Sequence, residues 1–247
     1  MRKMIAALAC RAGGTRLYGK PLQNLEKDKC ILDHMLDALS QCPEIATPVL
    51  GIAEGIENLP FIDIARRRGI PYVLGDETDV LSRLVLCGRI AGATDVYRVT
   101  TECPFTWYEP LPEAWRRHVD NDNDVTTTDG LPEGTHFEIY KLAALEASHD
   151  RGTSWHRSEG CSRYIREHRA DFKVEVILPG ADCARMDLRL TVDYPEDLVV
   201  CRKAYEALKD KGPKIPVADI VRFLDANPGL KDLLAPYTKP MRLWPDP

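Results

Sequence analysis

A buried strand that runs without pause into a glycine-rich, basic loop is the feature that most restricts this chain. Met4 to Leu8 is an unbroken apolar run, and CRAGGTRLYGKPL follows it from Cys10 to Leu22. Such a run reads as a strand inside a sheet covered on both faces. The loop after a first strand lies where open α/β sheets bind ligands, outside the carboxyl ends of the strands. Gly13, Gly14 and Gly19 let backbone come close to a ligand, and Arg11, Arg16 and Lys20 supply three cations. That combination suits an anion of several charges, such as a nucleoside triphosphate. A solvated basic loop is the competing reading. The spacing is not that of a P-loop, because Pro21 follows Lys20. It is not G-x-G-x-x-G either.

Strands and helices then alternate. This predicts an α/β fold: a mainly parallel open sheet with helices on both faces. Apolar residues at helical spacing predict a helix over Ile31 to Leu39. Pro48–Ala53, Tyr72–Leu74 and Val96–Thr100 read as strands, and Phe61–Arg68 as a helix ending at Gly69. Thr78 reads as the N-cap of a helix from Asp79 to Ile90. Beyond Asn121, Val125–Thr128, Phe137–Tyr140 and Phe172–Leu178 read as strands, and Leu142–Ser148 and Ser158–His168 as helices. Leu188–Val192 is expected to return to the main sheet. Pro195 opens a helix to Leu208, a favourable place for proline. Ala218–Leu224 reads as a short helix before an extended surface tail marked by Pro236, Pro240, Pro245 and Pro247. The chain thus reads as a single domain over 1–247. Residues 131–187 form an inserted α+β elaboration over the site, and 213–247 a C-terminal tail.

The net charge of −5 argues against non-specific nucleic-acid binding. No apolar run approaches the roughly 20 residues of a membrane helix, and no signal-peptide pattern precedes the first strand. The eight cysteines include no C-x-x-C pair and read as buried, reduced side chains of a cytoplasmic protein. The six histidines show no metal-binding spacing, and His34 reads as a packed helix residue.

A triphosphate needs a divalent cation, and magnesium takes few protein carboxylates beside substrate phosphates. Glu102, in VTTECP, and Asp193, in RLTVDYPEDL, each follow an expected strand and are the candidate ligands. The alternatives are a turn carboxylate for Glu102 and a helix N-cap for Asp193.

The opening R-x-x-x-T-R-x-x-G-K-P-L resembles the first loop of the cytidylyltransferases that activate sugar acids. It is similar too to their relatives in spore-coat polysaccharide synthesis. VLGDETDVLSRL, VTTECPF, GTHFEIYKLAAL and RLTVDYPEDL resemble four further segments of that family, in order and across most of the chain. The resemblance implies a nucleotide-diphospho-sugar transferase-like fold and transfer of CMP from CTP to an anionic acceptor, with release of pyrophosphate. It implies that Arg11, Arg16 and Lys20 hold phosphates and that backbone at Leu8, Ala9 and Cys10 reads the base. Gly13, Gly14 and Arg83 join the nucleotide side, with a helix-surface salt bridge as the other reading of Arg83. His136 and Glu138 fall in the acceptor region, and relatives of this fold commonly form homodimers.

The chain departs from the pattern at Tyr18, at Glu102 where aspartate is usual, at His136, and at Glu159–Ser162. The last two changes leave the acceptor open between a sugar acid and a small phosphate or phosphonate. Arg157 and Arg163, in a basic cluster of the elaboration, are candidate acceptor-binding residues; a solvated helix face is the competing reading. Two other classes stay open: a sugar-nucleotide-dependent glycosyltransferase, which usually carries D-x-D, and a non-catalytic nucleotide-binding relative.

Overall fold

The structure, a computed structural model, describes residues 2–245, so Pro247 of the expected tail lies outside the described residues. Strand β1 (Met4–Cys10) is central. Met4, Ala6, Leu8 and Cys10 face one apolar layer, and Ile5 and Ala7 face the other. Alternation along a strand with both faces buried explains the unbroken apolar run.

A small hairpin, β2 (Asn24–Glu26) and β3 (Lys29–Cys30), leads into α1 (Ile31–Leu39). Strand β4 (Ile45–Ala53) lies parallel to β1 and starts earlier than expected. Helix α2 (Leu59–Arg68) ends at Gly69, whose φ of 64° lies in the left-handed region, and β5 (Tyr72–Gly75) follows. Helix α3 (Val80–Ile90) is capped by the Asp79 carboxylate, which accepts from the Ser82 N–H at 2.8 Å. Thr78, the expected cap, instead donates to Asp76.

Strand β6 (Asp95–Arg98) pairs with the other edge of β1. After α4 (Leu111–Asp120) come β7 (Val125–Thr128) and β8 (Glu138–Lys141). Helices α5 (Leu142–Arg151), α6 (Ser154–Arg157) and α7 (Arg163–Glu167) precede β9 (Val174–Ile177). The expected helix over Ser158–His168 is cut to five residues, and residues 158–162 form irregular chain between α6 and α7.

The sheet order is β5-β4-β1-β6-β8-β7-β9. Only β8 is antiparallel to its neighbours, so the sheet is mostly parallel, with helices packed on it. The chain builds outward from β1 through β4 and β5, then returns to β1's other edge as β6. Strand order reverses there, and such a switch point opens a crevice at the strands' carboxyl ends.

Leu188–Val192 does not join the main sheet. It makes one isolated bridge, Glu133 with Arg189, while Leu188, Leu190 and Val192 stay buried. Helix α8 (Pro195–Leu208) begins at the expected proline, followed by α9 (Val217–Ala226) and α10 (Pro228–Leu234). The last helix lies where only a tail was expected. Proline at its first turn starts a helix rather than ending one.

His34 packs edge-on between Phe105 and Tyr205, as a core side chain. All eight cysteines are free and buried. No helix among the described residues is long and apolar enough to cross a membrane.

Candidate active site

The crevice at the switch point holds a cavity of about 440 Å³. The opening loop forms one wall, through Ala9, Arg11, Gly13, Gly14, Thr15, Arg16 and Lys20. The segment after β6, Val99 to Glu102, forms the other, and Asp193 closes the floor. Two hydrogen bonds fix the loop. Ala12 N–H donates to the Asn58 side chain at 2.8 Å, and Gly19 N–H donates to the Ala12 carbonyl at 2.8 Å. Gly19 takes φ 59°, and a 3₁₀ turn over Lys20–Leu22 follows, as only a residue free of Cβ strain readily permits.

The three loop cations all reach the cavity. Lys20 Nζ and Arg16 both donate to Asp193 Oδ1, Arg16 at 3.0 Å. Arg16 also lies over the Tyr194 ring, 4.9 Å from its centroid. Arg11 pairs with Glu159 and more loosely with Glu77, at 3.9 Å.

Asp193 is not a helix cap. Tyr194 occupies the cap position, and the Asp197 carboxylate accepts from the N–H groups of both Asp193 and Tyr194, at 2.8 and 2.9 Å. The second oxygen of Asp193 accepts from Arg189 at 2.7 Å. Burial pushes the Asp193 carboxyl up, but Lys20, Arg189 and Arg16 outweigh it and hold its pKa below the usual carboxylate value. Glu102 behaves oppositely. Burial raises its pKa, with Lys20 acting only as a partial counterweight. Among the described residues no side chain hydrogen-bonds its carboxylate, which lines the same cavity as Asp193.

A second cavity of about 580 Å³ opens from the first. The two share Arg16, Arg98, Val99, Thr100, Glu102, Glu159 and Asp193. His136 and Glu138 line the second cavity. His136 Nδ1 lies 3.2 Å from the Thr128 carbonyl, and burial lowers its pKa, favouring the neutral ring. Glu138 pairs with Arg98 at 2.8 Å and accepts from the Trp244 indole at 3.2 Å.

Several candidates fall elsewhere. Leu8 and Cys10 are buried beneath the cavity, and only Ala9 of that trio lines it. The Cys10 carbonyl is occupied by Arg83, and the Ala9 carbonyl accepts from the Thr101 hydroxyl at 3.0 Å. Among the described residues Arg83 makes no salt bridge on the helix surface. It is buried, and burial lowers its pKa; its guanidinium donates to the carbonyls of Cys10, Gly51 and Glu77 at 3.1, 2.7 and 3.2 Å. It passes close over Gly75, where an added Cβ would lie 2.9 Å from Arg83 Cγ. Arg83 therefore braces the carboxyl end of β1 from below while also edging the cavity.

Arg157 donates to the carbonyls of His149 and Gly152, and Arg163 lies 3.6 Å from the Trp155 ring centroid. Neither lines either cavity. Arg157, at the end of α6, turns back onto the carbonyls that precede it, and Arg163, at the start of α7, turns onto Trp155 of α6. Sequence reasoning missed Arg98, Arg189 and the tail residues 236–244. Arg98 and Arg189 each interrupt an apolar stretch, a signal for a buried charge with a partner. The tail gave no such signal.

No family model matches the chain. A spore coat polysaccharide biosynthesis protein of Bacillus subtilis is 24% identical over 233 residues, covering 92% of this chain and 96% of its own. A cytidylyltransferase from Leptospira borgpetersenii superposes with a TM-score of 0.84 at 21% identity, covering 93% of this chain and 97% of its own. A CMP:2-keto-3-deoxy-manno-octonic acid synthetase solved with CTP gives a TM-score of 0.65 at 15% identity, covering 83% and 99%. The chain thus has the nucleotide-diphospho-sugar transferase-like fold read in its sequence, and its neighbours in structure are nucleotidyltransferases.

Proposed function

We propose that the protein is a cytidylyltransferase that moves CMP from CTP to a small anionic acceptor and releases pyrophosphate. One observation carries this reading. Two cavities meet along a shared lining that holds both carboxylates, Glu102 and Asp193, together with Arg16 and Arg98. One cavity has the cation-bearing glycine loop of a polyphosphate site, and the other has room for a second substrate. The full-length likeness to cytidylyltransferases supports CTP as the nucleotide.

The acceptor oxygen would form a bond to the α-phosphorus of CTP as the bond from that phosphorus to the bridging oxygen of pyrophosphate breaks. The residues would mainly position the reactants and neutralise charge. Lys20, Arg16 and Arg11 would hold the β- and γ-phosphates, which compete with Asp193 and Glu159 for those cations. Arg189 would keep Asp193 in place during that exchange, since it grips the other carboxylate oxygen.

Magnesium fits the residues present. Glu102 is a carboxyl whose pKa burial raises, beside a second carboxylate and without a cation bonded to it. No group of three or more candidate ligands occurs among the described residues, so the protein would supply these two oxygens and the phosphates the rest. When bound, the ion would supply charge neutralisation at the α-phosphate. The protein is read as a homodimer of the cytoplasm, and its acceptor as a sugar acid or a small phosphate or phosphonate.

Mixing the protein with CTP, magnesium and a panel of such acceptors, and measuring pyrophosphate, tests this reading. Acceptor-dependent release is the expected result. Binding of CTP with no release across the panel favours the non-catalytic alternative, and no CTP binding ends the proposal.

A further inference from the structure

Arg98 is the last residue of β6, and in the antiparallel register it stands directly opposite Glu138, the first residue of β8. The two side chains pair at 2.8 Å, both largely buried. Side chains directly opposite on paired strands are neighbours by construction, so this contact is built into the sheet. A guanidinium carries five N–H donors. Among the described residues two acceptors meet those of Arg98: the Glu138 carboxylate and, more loosely, the Glu159 carbonyl at 3.3 Å. Two cations line both cavities, Arg16 and Arg98. Arg16 is engaged by Asp193 and lies over Tyr194. Arg98 keeps donors in reserve at the place where the cavities meet.

Glu138 has a second partner. Its other oxygen accepts from the Trp244 indole N–H at 3.2 Å. Trp244 is buried, and its position is fixed through the backbone. The N–H groups of Leu243 and Trp244 donate to the fully buried Asp129 carboxylate, at 3.2 and 2.9 Å. Arg169 donates to the Pro245 carbonyl at 2.9 Å. Both oxygens of Glu138 are thus engaged, one by Arg98 and one by an anchored indole. A carboxylate held from two sides has little freedom to rotate, and its guanidinium partner is held in one orientation. A chain of contacts therefore runs from the C-terminal segment through Glu138 to the junction of the two cavities.

We propose that Arg98 is a further catalytic residue, holding the α-phosphate of the nucleotide where the cavities meet. Trp244 is its positioning residue, acting through Glu138. This rests on the nucleotidyl-transfer reading above and adds a residue to it. In that reaction the two substrates meet at the α-phosphorus, because the new bond runs to it from the acceptor oxygen. A cation that lines both cavities is placed for the non-bridging oxygens of that phosphate. As the new bond forms, the bond to the bridging oxygen breaks and its electron pair leaves with pyrophosphate. A proton carried by the acceptor oxygen passes to solvent, and Arg98 neither gives nor takes one. Its charge stays fixed on the α-phosphate oxygens throughout, with no rearrangement needed at the moment of reaction.

The test is calorimetric titration of the full chain with CMP and with CTP, each with magnesium. CMP carries the α-phosphate alone. Arg98→Gln should weaken both nucleotides by a similar factor, roughly tenfold, as loss of a charge-assisted bond implies. Lys20→Ala should weaken CTP far more than CMP, since Lys20 is assigned to the outer phosphates. Arg98→Gln leaves the Glu138 charge buried and unpaired. If it does not fold, the double variant Arg98→Gln/Glu138→Gln carries the same expectation. Trp244→Phe keeps a buried ring and removes the indole N–H. It should weaken CTP roughly threefold in the parent and have no further effect beside Arg98→Gln. A packing role would give the same factor in both backgrounds; that result, or no effect in the parent, would strip Trp244 of its role. If the parent binds CTP and Arg98→Gln either matches it or loses affinity for CTP alone, Arg98 is not at the α-phosphate, and the nucleotidyl reading stands without it. If the parent binds neither nucleotide, the nucleotidyl reading falls and the role of Arg98 falls with it.

Discussion

The backbone N–H of Val192 donates to the backbone carbonyl of Glu102 at 3.0 Å. This one bond ties the segment after β6 to the segment before α8, and so sets Glu102 and Asp193 on one floor. Neither carboxylate takes part in it. Side-chain changes at the two positions therefore test charge without removing the bond that brings the segments together.

CTP should stabilise the protein against heat more than ATP, GTP or UTP do, each with magnesium. Selective binding to the native state raises the melting temperature, and at equal concentration the tighter-binding nucleotide raises it more. Thermal-shift curves with the four nucleotides check this, and equal or greater stabilisation by ATP or GTP would exclude a cytidine site.

Lys20→Ala and Arg16→Ala should lower turnover on the order of a hundredfold, the cost of losing a charge aimed at the reacting phosphates. Stability should move little, by about 1 kcal/mol or less, because Asp193 keeps Arg189 as a partner. Turnover and urea unfolding of both variants separate the two effects. Unaltered turnover in both would make the loop an ordinary basic surface.

The neutral form of His34 should support the fold in a pH-dependent way. Burial pushes its pKa from 6.5 down to about 4, helped by nearby Lys29. Because the folded value lies below the unfolded one, the unfolded chain takes up the proton first as pH falls. The stability is then complete above about pH 6.5 and is lost toward pH 4, up to roughly 3 kcal/mol. Urea unfolding of the parent and His34→Leu at pH 7.5 and 4.5 gives the measurement. The same loss between the two pH values in both proteins would assign the effect to other groups.

The protein should be a dimer. Strand β9 is an outer strand of the sheet, half-buried along its length, and Leu178 just beyond it is 54% exposed. An open edge beside an apolar side chain invites pairing with a second copy. Light scattering at micromolar concentration should give twice the chain mass, and a value of 27.8 kDa would refute it.

The opening loop was legible because its glycines and cations are neighbours in sequence. Glu102 and Asp193 stood out as candidates because each directly follows a strand-like stretch of β-branched and apolar residues. The strand expected over Leu188–Val192 was not formed, since alternation shows that a segment is extended and half-buried but not which partner it meets. The C-terminal wall of the second cavity was hidden for a related reason. Trp244 meets Glu138 and Asp129 only through tertiary packing, and a proline-rich tail carries no periodicity to announce it. Arg157 and Arg163 misled in the opposite way. A run of like charge says nothing about direction, and both side chains turn back onto their own segment.

Glu102 and Asp193 should share one magnesium ion, and neither should be replaceable by its amide. Both line the same cavity floor, and a hard divalent ion depends on the charge that an amide lacks. Glu102→Gln and Asp193→Asn should fold as the parent does but need roughly tenfold or more magnesium for half-maximal activity. Glu102→Asp is the sharper comparison, because it keeps the charge and shortens the reach. A tuned ligand should lose activity on shortening, through a displaced ion, while its magnesium requirement rises less than in Glu102→Gln. Magnesium titrations of pyrophosphate release in the four proteins provide the reading. One shared magnesium dependence for the parent, Glu102→Asp and Glu102→Gln would remove Glu102 from the metal site and leave Asp193 to act as the partner of Lys20, Arg16 and Arg189 alone.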